Sequence, residues 1–268
     1  MSGARLSAQA CRALLLRDLR AVLRSRSQLY SSLLLPLMIL AIVGTGVSEG
    51  LDPSLVRDGD YSSFLVPGVI VITLVFSSTF SSASYYHDRD WGVLRVMLST
   101  PNPPWLIMLG KSLGGVMIGS LQAIIVLLIA AVIPALDLEW QYGIVPGVLL
   151  ALLAVLLLAM LLNGTAQLLA ARIQTMQGFH LVMNLVLFPL LFFSGAFFPL
   201  DDLPTWLKGL AILNPLSYPV DMLRIAIYAE DSGFFGILVD FLLLGALAPL
   251  LLWLGIRRAP IYNQGGPP

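Results

Sequence analysis

One cysteine, Cys11, and two histidines, His87 and His180, are all that this 268-residue chain has of the two residue types that most often hold zinc. A single cysteine excludes an intramolecular disulfide, and no His or Cys partner stands at metal-site spacing, so no metal site is expected. Charge is just as scarce. Only 11% of the residues are charged and 58% are hydrophobic, whereas soluble domains carry about 25% charge. A chain of that composition cannot hide its apolar surface in one soluble core, and it reads as an integral membrane protein. The start, MSGARLSAQACRALLL, has arginines spread through it and no apolar run leading to a small-residue cleavage site. No cleaved signal peptide is expected.

Catalytic patterns are missing as well. Gly110-Lys111-Ser112 looks like the end of a phosphate-binding loop, but that motif needs a glycine where Trp105 stands, so the chain cannot bind ATP by that route. GKSLG, residues 110–114, matches the hydrolase nucleophile pattern in letters only, since it opens an apolar helix and not a strand-to-helix elbow.

What is present is organised around residues 86–111, YHDRDWGVLRVMLSTPNPPWLIMLGK. The stretch is polar at its start, closed by Pro101, Pro103 and Pro104, and flanked by two runs each long enough to cross a bilayer at about 20 residues per helix. It is therefore expected to be a loop between spans. A short helix over 93–98 places Val93, Leu94, Met97 and Leu98 on one face with Arg95 pointing away, an arrangement able to dock into a cleft on another protein. Six spans are expected at 29–47, 64–84, 106–133, 144–169, 179–198 and 234–256. Before them, residues 1–28 suit an interfacial helix, with Arg17, Arg20 and Arg24 on one stripe and Leu15, Leu19 and Val22 opposite. Asp18 interrupts the basic stripe. Gly110, Gly114, Gly115 and Gly119 form small-xxx-small pairs suited to close helix contact, as do the serines of the second span.

Between the fifth and sixth expected spans, residues 199–232 hold two apolar pieces, 203–213 and 218–228, bounded by Pro204, Pro215 and Pro219. They are too short to cross, so they read as re-entrant or interfacial helices. With the N-terminus cytoplasmic, twelve Lys and Arg lie inside (Arg5, Arg12, Arg17, Arg20, Arg24, Arg26, Arg89, Arg95, Lys111, Arg172, Arg257, Arg258) against three outside (Arg57, Lys208, Arg224). That split puts both termini and the 86–104 loop in the cytoplasm and the two half-helices outside. Asp240, two turns into the last expected span, has two readings, a group on a substrate or proton path and a structural partner for a neighbouring helix.

The six-span layout, the loop DRDWGVLRVMLSTPNPPWLIMLGK and the late segment FFSGAFFPLDDLPTWLKGLAILNPLSYPVDMLR together resemble the permease subunit of type-2 ABC exporters, which handle drugs, nodulation factors and polysaccharides. Ser194-Gly195, Phe198-Pro199, Leu203-Pro204 and Asn214-Pro215-Leu216, followed by Asp221 and Arg224, are similar to the family pattern in order and spacing. The family commonly carries Glu and Gly-Thr where Asp90 and Gly92-Val93 stand here.

The resemblance implies a single all-α membrane domain over 1–268 without catalytic residues or a cofactor of its own. Asp90, Gly92, Val93, Leu94, Arg95, Met97 and Leu98 would couple to a separate ABC ATPase, in two copies, that brings the ATP and Mg. Ser194, Gly195, Asn214, Leu216, Asp221, Arg224 and Asp240 would form an outer gate, cap or substrate path in a homodimer or pseudo-dimer. It further implies export of an amphipathic, lipid-linked or polymeric substrate across the bacterial inner membrane, with lipid and no nucleic acid as further surroundings. A membrane enzyme that modifies lipids or sugars is the alternative, with Asp201, Asp202, Asp221 and Arg224 as its loose set of polar groups.

Overall fold

The computed structural model describes residues 12–20, 24, 26–44, 46, 61–100, 103–133, 136, 138, 140, 142–200, 203–228 and 233–258. Among these the fold is all helical. Residues 12–20 form α1. Helix α2, Arg26–Met38, runs through Pro36 and continues as the π-helical turn Ile39–Gly44. Then follow α3 (Tyr61–Asp90), α4 (Val93–Leu98), α5 (Pro104–Val132), α6 (Ile144–Ala170), α7 (Met176–Phe192), α8 (Thr205–Leu213), α9 (Ser217–Ile227) and α10 (Ile237–Arg258).

Four helices, α3, α5, α6 and α10, are long and apolar enough to cross a membrane, and a fifth crossing results if α8 and α9 count as one broken span. The apolar stretch Leu33–Gly44 and helix α7 are shorter. Several ends depart from the sequence reading, each for a local reason. Helix α3 continues through the polar residues Tyr86 to Asp90, so the loop expected at 86–104 begins only at Trp91. The fifth expected span, 179–198, stops as a helix at Phe192 because Pro189 lies in its last turn and Gly195 follows in a left-handed conformation at φ 81°. Gly233 and Gly236, at φ 73° and 87°, delay the last helix from 234 to Ile237.

Helix α3 is the hub, touching α2, α5, α6, α7 and α9. Ser77 and Ser81 on its second half face Gly119 and Gly115 of α5: a Cβ at Gly115 would lie 2.4 Å from the Ser81 Oγ and 2.2 Å from the Asn163 Oδ1. The small residues of both helices therefore serve close approach. Backbone meets backbone where α6 joins α10. A Cβ on Gly164 would meet the backbone of Leu251 and Leu252 at 2.4–2.7 Å, and one on Gly255 would meet the Gly164 carbonyl at 2.8 Å. Helices α8 and α9 are bent by 93° to each other. All eleven residues of α9 are buried, whereas α8 buries only Ala211.

Candidate functional site: the loop helix and its anchorage

The loop between α3 and α5 is built on Gly92, whose φ of 75° turns the chain out of α3 and into α4. The Ser99 and Thr100 hydroxyls close the far end of α4 on the Val96 and Met97 carbonyls at 2.8 and 2.6 Å. Val93, Leu94, Met97 and Leu98 do share a face, and that face turns inward. Leu94 is 2% exposed within the chain's own core, with Met97 and Leu98 packed against it. The outer surface consists of Trp91, 77% exposed, Val96, 69% exposed, and Arg95. The Leu94 and Met97 face that periodicity offers for docking is thus packed against α3 and α5 of the same chain, which leaves Trp91, Arg95 and Val96 on the outside of α4.

The platform beneath α4 is strongly tied. The Tyr86 ring is fully buried against Phe179, and its hydroxyl donates to the Ile173 carbonyl at 3.1 Å. Arg89 lies over that ring at 5.0 Å and donates to the Gln174 carbonyl, with Asp90 3.3 Å away. The end of α3 is thereby pinned to the turn between α6 and α7. A second tie joins Arg17 and Asp18 of α1, Asp88 of α3 and Lys111 of α5. Arg17 reaches Asp18 at 2.7 Å and Asp88 at 2.8 Å, while Lys111 pairs with Asp88 and lies 3.9 Å from Asp18 and 3.3 Å from the Ser84 hydroxyl. Burial works to lower the Arg17 pKa, but the hydrogen bond to Asp88 and the charge of Asp18 raise it above its ordinary value. Arg17 is thus turned onto α3, while Arg20 and Arg24 stay exposed. Sequence reading missed this cluster. Its one visible signal was Asp18, an acid interrupting an arginine stripe.

The second group of expected residues lies together around the α7–α8 turn and α9, and largely supports backbone. The Ser194 hydroxyl donates to the Leu191 carbonyl at 2.6 Å, and Arg224 donates to the Gly195 carbonyl at 3.0 Å while lying 4.1 Å over the Phe64 ring. Asn214 donates to the Leu190 carbonyl at 2.5 Å and accepts from the Leu216 N–H at 2.9 Å. Asp221 accepts from the N–H groups of Phe234 and Phe235 at 2.8 and 2.9 Å. Leu216 is buried within the chain. Asp240 is completely buried and faces the carboxylate of Asp221. Asp201 and Asp202 lie outside the described residues. A separate apolar cavity of about 370 Å³ lies between α2 with its π turn, α3 and α7, where Thr79 and Asn184 are the polar side chains that line it among the described residues.

An all-helical chain with at least four membrane-length helices among the described residues, and a short, firmly anchored loop helix with an exposed outer face, reads as a multi-span membrane protein. The family model described as ABC-2 type transporter matches residues 9–228. The chain therefore belongs to the ABC-2 type transporter family. It is similar to the protein named "Probable multidrug ABC transporter permease YbhR" of Escherichia coli strain K12, with 28% identity over 177 residues, covering 65% of this chain and 46% of YbhR. It is also similar to "Inner membrane transport permease YadH" of the same strain, with 30% identity over 204 residues, covering 74% of this chain and 75% of YadH. The chain thus spans about half the length of YbhR.

Proposed function

We propose that this chain is the membrane-spanning half of an ATP-driven exporter, docking through Trp91, Arg95 and Val96 on a separate ABC ATPase that supplies ATP and Mg. The observation that carries this reading is the outward face of α4, apolar and aromatic around one cation, on a loop fixed at both arms. An exposed Trp and Val beside an Arg is the composition of an interface anchor. Two copies of the chain would take two ATPases. The reading includes six spans, with α2 and α7 as the two short crossings, both termini cytoplasmic in a bacterial inner membrane, and α8 and α9 as a re-entrant pair on the outer side. The arginine and lysine split supports that orientation.

The apolar cavity beside α2, α3 and α7 suits the hydrocarbon part of an amphipathic substrate, with Asn184 as the polar contact. A drug, a lipid or the lipid part of a lipid-linked sugar fits this chemistry, whereas a polymeric sugar would need a different path. The buried residues Ser194, Gly195, Asn214, Leu216, Asp221 and Arg224 would hold the outer half-helices in place as a cap or gate, with Asp240 beneath them. The test is affinity purification of the tagged chain from its native membrane. An ATPase should co-purify, and the complex should hydrolyse ATP while the chain alone does not. Hydrolysis by the chain alone, or a pure preparation that modifies lipid or sugar, would favour the enzyme reading.

A further inference from the structure

Lys111 poses a physical problem that docking does not answer. Its side chain is 5% exposed, yet an ammonium group removed from water must be compensated. Compensation comes from outside its own helix: Asp88 sits in the last turn of α3, and Asp18 sits on α1, whose Cβ packs 3.4 Å from the Cβ position of Gly114. Arg17 closes the set by bridging Asp18 and Asp88. Two cations and two anions balance, and each is shared by at least two partners. Three segments far apart in sequence are thus held at one point, immediately on either side of the loop that carries α4.

We propose that this charge clasp makes α1, the end of α3, α4 and the start of α5 one rigid body, with Lys111 as its positioning residue. The role in coupling rests on the ATPase-docking reading above; the clasp itself does not. A push on the outer face of α4 reaches the spans only if the loop's arms cannot splay. The Asp88–Lys111 pair closes those arms, and Arg17 adds the interfacial helix to the same body. Lys111 touches neither ATPase nor substrate in this account and acts through the helices it joins.

The experiment uses the full chain in liposomes, in a Cys11→Ser background, with spin labels at the exposed positions Arg20 and Ser99 on α1 and the loop. The unsubstituted clasp should give one narrow distance distribution. Lys111→Met should widen it by about twofold or more, since Asp18 and Asp88 are then left to share Arg17 alone and the excess negative charge drives the arms apart. The double variant Asp88→Leu/Lys111→Met removes one charge of each sign, leaves Arg17 paired with Asp18, and should widen it too. A label pair at Leu149 and Leu250 should be unchanged in every variant, which shows that the bundle is folded. A distribution as narrow as the parent's in the double variant overturns the clasp. Capture of the co-purifying ATPase should survive both variants, because Trp91, Arg95 and Val96 are untouched. If the parent itself captures no ATPase while the widening is observed, the docking reading fails and the clasp stands.

Discussion

Gly164 is a residue at which a single methyl group has a large consequence. Its Cβ position is filled by the α10 backbone, which cannot rotate away as a side chain would. Gly164→Ala therefore has to separate α6 from α10 and should destabilise the bundle by about 1–3 kcal/mol, seen as a lower melting temperature in detergent. Leu94→Asp should act in the same sense: a carboxylate placed at a 2% exposed site costs about 3–5 kcal/mol, so the folded yield falls before docking is even tested. Periodicity legibly put Val93, Leu94, Met97 and Leu98 on one face. It could not say whether that face meets a partner or the chain's own helices, because a 3.6-residue repeat reports only which residues share a side.

Among the elements, α8 and α9 divide the labour between exposed and buried apolar surface. Leu216, at the entry to α9, is enclosed and cannot reach a second copy, whereas Leu213 at the end of α8 is 81% exposed. A disulfide between copies at Leu213→Cys, in a Cys11→Ser background, should form if α8 lines the dimer path. Reversible loss of export on cross-linking identifies a gate; undiminished export with complete cross-linking identifies a fixed lid. The two short helices were legible from length and proline position, since 10–14 apolar residues cannot cross. The bounds of α3 were not, because Tyr86 to Asp90 are polar and only their ties to Ile173, Gln174 and Lys111 keep them helical beyond the apolar run.

For the molecule as a whole, the distribution of Lys and Arg predicts that α8 is outside and the α6–α7 turn is inside. Gly209, with open space around its Cβ position, and the exposed Gln174 are suitable labelling sites. Gly209→Cys should react with a membrane-impermeant maleimide in intact cells and Gln174→Cys only after permeabilisation. The class of protein was legible from composition and from the two motif-bearing segments. The charged cluster was not, since Asp18, Asp88 and Lys111 lie on three segments separated by up to 93 residues. No local pattern links them.

The central claim is that α4 hands its outer face to an ATPase at the cytoplasmic surface. The most direct measurement is photo-cross-linking in cells from a benzophenone amino acid placed at Val96, compared with the same probe at Gly209. The account predicts an adduct between this chain and an ABC ATPase from position 96 and none from position 209. An ATPase adduct from 209, or none from 96 in cells where the two proteins co-purify, would contradict it.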